Sequence, residues 1–506
     1  MRYLPNGKQM SEADAHTIHE IGIPSLVLME RAALQIVETM HKKNISTEKS
    51  LIVCGSGNNG GDGFAVARLL TEQGKHADVL FVGKEASLSE ECRCQKQIVE
   101  NMGISVFTEF PDEEYTVIID AVFGVGLCRE ITGHYKDVID WMNLQDAEKV
   151  AVDIPSGICA ATGKILGTAF RADLTVCMAC VKLGCELFPG KSYAGESIPV
   201  AIGIDPKYFS NRLDVCYTFD KNDLGKLLPS RMMNSHKGSY GKVLMITGSP
   251  GMAGAAFLSA CAAYTVGAGL VQIYTASENR LALQELLLPE AIISCYDSYD
   301  DSQLSHLLDW ADVVCIGCGL GMGQISEKIL KNVLKNVSCP CVIDADGLNL
   351  LSRNIELLNQ CCAPVILTPH MKEMSRLTGW SIDTIMEDRF QALDQIIKQS
   401  GPDTKSSIIC VLKDSRTVVA QTNRQRFVNL AGNNSMAKGG SGDVLAGTIA
   451  GLLAQHMAPF EATTVGVFLH ACGGDEAKKS KGSYSVLARD LIQGMADAMK
   501  NAKECR

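Results

Sequence analysis

The stretch GNNSMAKGGSGDVLAG (residues 432–447) concentrates residue types that can move a phosphoryl group. Gly439, Gly440 and Gly442 directly precede a long apolar helical pattern. Backbone amides at such a helix start can stabilise charge developing on a transferred phosphoryl group. Asp443 stands at the helix entry, where a carboxylate can take a proton from an attacking hydroxyl. An acidic residue favoured by the helix dipole fits the same position, so this motif alone leaves both readings open. A second cluster, GSGNNGGDG (residues 55–63), follows an apolar strand pattern and opens another helix. Its glycines let amides approach an anion at a helix N-terminus. It lacks the lysine of a P-loop and is out of register with G-x-G-x-x-G. A plain strand-to-helix turn is the alternative.

DAVFGVGLCRE and AVDIPSG place Asp120, Asp153 and Ser156 just beyond apolar strand patterns. In open parallel sheets, ligands bind at the carboxyl ends of strands. Asn59, Asp120 and Ser156 offer only oxygen ligands, which hard cations prefer. One carboxylate with neutral oxygens suits a monovalent cation better than a divalent one. Each of these aspartates also reads as a turn residue at a strand end.

The elements that must hold these groups are legible as two alternating strand–helix series. In the first, Ser11 and Ser25 are expected to cap two helices. LIVC, ADVLFVG, TVIIDAVFG, KVAVDIPSG and DLTVCMAC read as strands. The second begins at KVLMITG and continues through GLVQIYT, DVVCIGC, CVIDADG, PVILTP and IICVLKD. Three helical stretches between Met436 and Ala502 close it. Continuous apolar strands separated by helices argue for parallel sheets covered on both faces. A weak segment over residues 206–230 separates the halves, giving expected domains of 1–210 and 225–506. Their glycine motifs differ, so they are not internal repeats.

The chain has 506 residues and 47 basic against 57 acidic side chains, a net charge of −10. That balance argues against nucleic-acid binding, which needs clustered Lys and Arg. No apolar run reaches the ~20 residues of a membrane helix, and the N-terminus shows no signal-peptide core. The 20 Cys are spread along a long chain and read as reduced thiols of a cytoplasmic protein. The pairs Cys177/Cys180 and Cys315/Cys318 sit in apolar, glycine-flanked patterns and read as buried small residues rather than zinc ligands. A homo-oligomer is expected, because apolar sheets and helices can hide an interface.

GIPSLVLMERAA, VCGSGNNGGDGFAVARLL, IDAVFGVGL and VAVDIPSG, in this order, resemble the YjeF N-terminal family, the NAD(P)HX epimerases. The resemblance implies a Rossmann-like, three-layer domain that interconverts the R and S forms of hydrated NADH or NADPH. It implies substrate contacts from Asn58, Asn59, Gly60, Gly61 and Asp62, and from Gly124, Val125, Gly126, Leu127, Cys128, Arg129 and Glu130. Asp153 would bind substrate as the acid/base group. Asn59, Asp120 and Ser156 would hold potassium. Val125 replaces a usual Thr, and Glu130 a usual Pro.

The second half resembles the ADP-dependent NAD(P)HX dehydratases of the ribokinase-like α/β fold. The motifs are HKGSYGKVLMITGSPGMAG, GLGMG, DADGLNLL, TPHMKEM, KDSRTVV and the segment around GSGD. The resemblance implies ADP contacts from Lys413, Asp414, Ser415, Arg416 and Thr417. Further ones come from Asn433, Asn434, Ser435, Met436, Ala437, Lys438, Gly439, Gly440, Ser441 and Gly442. The hydrated cofactor would touch Ala256, Gly319 or Gly321, His370 and Asp443. Asp443 would be catalytic, and magnesium would neutralise the phosphates. Asp414 replaces a usual Gly, Lys438 a Thr or Ser, and Asn434-Ser435 a Pro-Gly. Asp344 and Asp346 fit either a magnesium pair or a strand end and turn.

Two other functions share part of this pattern. A ribokinase-like small-molecule kinase, with the first half as a non-catalytic binding module, would use Asp443 and the same glycines. A module for protein or RNA would not need the acid and cation set of the first half.

Overall fold

The computed structural model describes residues 1–285, 289–398 and 407–504. They form two compact units, one spanning Arg2–Cys216 and the other starting at Tyr217.

In the first unit the central strand is Lys49–Cys54, with Leu51, Ile52, Val53 and Cys54 all fully buried. Alternate residues face opposite sides of a sheet. Ile52 and Cys54 accordingly join one apolar cluster, and Leu51 and Val53 the other. The strand pairs in parallel with His76–Phe81 on one side and Val117–Ala121 on the other. Val106–Phe107 extends the sheet beyond the former. Glu148–Val152, Leu174–Met178 and Glu196–Val200 extend it beyond the latter, all in parallel. Helices Ser25–Lys42 and Asn58–Glu72 supply Ala33, Ile36, Phe64 and Val66 to the first cluster. Helix His134–Leu144 supplies Val138, Ile139 and Met142 to the second. The result is three layers.

Two expected caps differ. Asn6, not Ser11, starts the helix Gly7–His16, because its side chain accepts from Gln9 N while Gln9 reciprocates in a capping box. Ser11 lies one turn inside and donates back to Gly7 O. Ser25 is the first residue of its helix rather than the cap, which Pro24 occupies in extended conformation.

In the second unit, Lys242–Ile246 pairs in parallel with Leu270–Ala276 and Val313–Ile316. Ile292–Tyr296 extends the sheet beyond the former. Cys341–Ile343, Val365–Leu367 and Ile408–Leu412 follow Val313–Ile316 in parallel. The chain then turns back antiparallel through Val418–Gln421 and Phe427–Val428. Helices Ser441–Ala454, Pro459–Lys481 and Ala488–Glu504 end the unit. Gly447 and Gly451 let the first of these lie directly against the backbone of Ser259 and Ala263 on helix Ala253–Thr265. Among the described residues, no helix is long and apolar enough to cross a membrane, and every cysteine is a free thiol.

Candidate active sites

In the first unit, the glycine cluster sits where the central strand meets helix Asn58–Glu72. A Cβ at Gly60 would run into the Gly55 carbonyl oxygen, and one at Gly55 into that of Val122. The helix start is therefore pinned to two strand ends. Gly60 and Gly61 are packing residues, the latter against Met29. We expect Gly60→Ala to lower the melting temperature of this unit, because such overpacking costs about 1–3 kcal/mol. Gly57→Ala, where a Cβ meets nothing, should leave it unchanged. Calorimetry that finds the two variants equal would refute this.

Two cavities open beside this turn and share Asn58, Asn59, Gly124 and Val125. The larger, of about 590 Å³, is lined by Gly126, Leu127, Cys128 and Arg129, and by Ser56 and Lys84. The smaller, of about 240 Å³, contains Asp14, Asp62 and Asp153 in its wall. Glu130 is exposed and lines neither.

Asp120 is fully buried at its strand end. Its carboxylate accepts from Ser156 Oγ at 2.6 Å, Ser156 N at 2.7 Å and Val122 N at 3.1 Å. Burial pushes its pKa up to about 6, although these bonds pull it down. Ser156 Oγ also lies 3.3 Å from the Phe123 carbonyl oxygen. Asn59 has a buried amide nitrogen without a hydrogen-bond partner. Turning the amide by 180° puts its oxygen at that partnerless position. Asp120 and Ser156 are in direct contact; Asn59 stands beside Gly124.

Asp153 adopts the left-handed region, with φ of 69°, which Asp tolerates better than most residues. Its carboxylate accepts from Met178 N at 2.8 Å and forms an ion pair with Lys182. Lys182 is completely buried and donates also to Met178 O at 2.9 Å. Burial works against its charge, but Asp153 outweighs that and raises the pKa above the ordinary lysine value. The sequence reading missed Lys182. A lone lysine directly after the apolar run LTVCMACV was the available signal.

In the second unit, the turn before helix Ser441–Ala454 uses Gly440 at φ 90°. A Cβ on Gly442 would lie 3.3 Å from both Asp344 Oδ2 and Lys413 Nζ. Lys413 donates to Asp344 Oδ1 at 2.6 Å, with Glu373 Oε2 at 3.9 Å. Asp443 is mostly buried beside this pair. Burial and Asp344 raise its pKa to about 6, while the Cys318 thiol and Lys413 oppose the shift. Burial likewise pushes Glu373 to about 7. Asp344, Glu373 and Asp443 thus lie about one lysine, and Asp346 adds its charge near Asp443.

Asp346 accepts from Gly321 N at 2.8 Å, which holds the GLG turn. Gly319 and Gly321 take φ values of 59° and 81°. Ser249 N donates to Gly319 O. Ala256 is fully buried next to Gly248 and presents no surface to a ligand in this conformation. Pro369 O accepts from Lys413 N at 2.8 Å, setting His370 beside the lysine. His370 Nδ1 caps the next helix by accepting from Lys372 N and Glu373 N. Burial and Lys413 lower its pKa, which favours the neutral ring.

The turn Lys413–Thr417 joins two antiparallel strands. Asp414 does not add a bare charge there: the buried Arg389 pairs with it at 3.3 Å. Thr417 Oγ1 closes the turn on Asp414 O, while Ser415 N donates to the Asp414 side chain. Arg416 donates to Leu430 O. Asn433 caps the short turn Asn434–Met436, with Ser435 buried beneath it. Ala437, Lys438 and Gly439 are exposed. Ser441 Oγ lies 3.4 Å from Nε2 of His470, whose pKa burial lowers to about 4. Arg389 and His470 were not singled out from sequence, since neither lies near a motif.

The NAD(P)H-hydrate dehydratase family model matches residues 243–496, and the YjeF-related protein N-terminus model matches residues 25–184. The bifunctional NAD(P)H-hydrate repair enzyme of Moorella thermoacetica is 34% identical, covering 99% of this chain and 97% of that one. The corresponding enzyme of Escherichia coli is 33% identical, covering 93% and 89%. Among solved structures, the second unit resembles the ADP/ATP-dependent NAD(P)H-hydrate dehydratase of Bacillus subtilis co-crystallised with ATP/Mg2+. The TM-score is 0.50 at 28% identity, over 58% of this chain and 99% of that one. A ribokinase-like superfamily protein of Enterococcus faecalis also has a TM-score of 0.50, at 31% identity, over 57% and 96%.

Proposed function

The chain belongs to the bifunctional NAD(P)H-hydrate repair enzyme family, and from that premise we propose the chemistry of each unit. The first interconverts the R and S forms of NAD(P)HX; the second dehydrates the S form with ADP. One observation carries the second assignment: Asp443 lies in the first turn of helix Ser441–Ala454, whose Gly442 abuts the Lys413–Asp344 pair, and both members of that pair act on its carboxyl.

In the second unit the amides of Gly439–Gly442 support the terminal phosphate of ADP. Asp443, as carboxylate, takes the proton of the substrate's ring hydroxyl. The hydroxyl oxygen bonds to the terminal phosphorus as the bridge to AMP breaks. The new phosphate ester then leaves as inorganic phosphate, which takes up the proton lost from the adjacent ring carbon, restoring the ring double bond. Lys413, held by Asp344, stays cationic and balances charge near the phosphates. The surplus of carboxylates over that one lysine fits a divalent cation, with Asp344 and Asp346 the residues to face it. Mg2+ bound there would neutralise phosphate charge.

In the first unit, Asn58, Asn59 and the Gly124–Arg129 loop hold the dinucleotide, and Asp153 moves the proton. The partnerless amide of Asn59, the lone carboxylate of Asp120 and the oxygens of Ser156 and Phe123 fit K+. Potassium there would order the loop that carries Gly124. The abundance of free thiols supports a cytoplasmic setting.

A mixture of both NADHX epimers, given ADP and Mg2+, tests this through the reduced-nicotinamide absorbance. The expected record is a fast phase from the S form, then a slower phase that completes conversion. Replacing K+ by Li+ should slow only the second phase. No absorbance gain, with phosphorylation of a free sugar instead, would assign a kinase. A single phase stopping at the S fraction would remove the epimerase.

A further inference from the structure

We propose that Asp62 is a second catalytic residue of the first unit: it protonates the departing ring hydroxyl, while Asp153 takes the proton of the water that adds back. The proposal rests on the epimerase reading. The carbon to be inverted carries a hydroxyl and adjoins the ring nitrogen. The nitrogen lone pair forms a double bond to that carbon as the carbon–oxygen bond breaks, and the hydroxyl leaves as water with a proton from Asp62. The resulting cation is planar at that carbon. Water then bonds to the opposite face and gives one proton to Asp153. One proton has been donated and one received; the reverse reaction exchanges the two roles. Serving both faces of a plane takes two groups from different directions.

The 240 Å³ cavity provides them. Asp153 enters from the end of strand Glu148–Val152, and Asp62 from helix Asn58–Glu72. Asp62 lies four residues after Asn58 and so shares its helix face; both line the cavity. Asp14 enters from a third element, helix Gly7–His16. The three carboxyls differ in their partners. Asp153 already accepts from Met178 N and pairs with the Lys182 ammonium, which suits it to the acceptor role. Among the described residues, the side chains of Asp14 and Asp62 have neither a hydrogen bond nor an ion pair.

The charged and titratable groups around Asp62 all bear on its state. Burial, Asp153 and Asp14 push its pKa well above the carboxylate range, and only Lys182 opposes them. Asp14 is raised by burial, Asp153 and Glu91. The neighbouring thiols of Cys54 and Cys92 are raised as well, so they remain neutral. A protonated Asp62 is thus the acid, and its activity falls as pH rises through its own pKa.

Epimerisation of R-NADHX by the full chain in H2(18)O tests the proposal, comparing wild type with Asp62→Asn and Asp62→Glu. We expect one solvent oxygen in each inverted product. In D62N, kcat should fall at least 100-fold with KM within threefold, the alkaline limb of the pH profile should vanish, and D62E should restore part of the rate. A thermal unfolding profile matching that of wild type shows that the variants are folded. D62N with wild-type kcat, or an alkaline limb that persists in it, overturns the role of Asp62. Retention of the original oxygen overturns it too. A wild-type chain that inverts nothing instead overturns the epimerase reading itself.

Discussion

Replacing Asp443 with asparagine is expected to cut dehydration of S-NADHX about 1,000-fold, within the usual range for a general base. Epimerisation should be unchanged. Asparagine keeps the shape at the helix entry but cannot take a proton. The wild-type profile should carry an acid limb near pH 6. The pKa of Asp443 is raised to about 6, so the base form is present above that pH and is lost as pH falls through it. D443N should lack this limb. A variant within tenfold of wild type would remove Asp443 from the reaction.

Asp153→Ala should act twice. Epimer exchange, followed by chromatography, should fall about 100- to 10,000-fold with loss of the acid/base group. The unit should also lose stability, because Lys182 is completely buried and its charge would have no partner. Breaking a buried pair from one side costs about 3–5 kcal/mol. The double variant D153A/K182M separates the effects: it should recover most of the melting temperature and none of the exchange. Exchange at the wild-type rate in D153A would refute the assignment of Asp153. A melting temperature equally low in both variants would refute the account of Lys182.

The strands that build both sites were legible because they are continuous apolar runs ending in glycine or aspartate. Leu51–Cys54 and Val313–Ile316 are examples, buried on both faces. Glu196–Val200 was not legible. It lies at the sheet edge, where its mixed residues and Pro199 are tolerated because no second neighbour needs the missing donor. Ile292–Tyr296 is also an edge strand, only partly buried, and was missed for the same reason. Gly442, Asp443 and Lys413 were singled out from motifs, and the fold brings them together across residues distant in sequence. What motifs could not give is pairing. Lys182 with Asp153, Arg389 with Asp414 and Lys413 with Asp344 join positions 25 to 69 residues apart. Those pairs set which carboxylates have a basic partner, and only the folded chain determines them. Asp414 makes the point most clearly: in sequence it is an unexplained charge, and in the fold it answers a buried arginine.

The most direct measurement follows one oxygen atom. S-NADHX labelled with 18O at its ring hydroxyl, incubated with ADP and Mg2+, would be analysed for label in inorganic phosphate and in water. Attack by that hydroxyl on the terminal phosphorus, with Asp443 taking its proton, predicts the label in phosphate, one atom per NADH formed. Label released into water, with phosphate unlabelled, would mean that the hydroxyl never reached phosphorus and would contradict the chemistry assigned to the second unit.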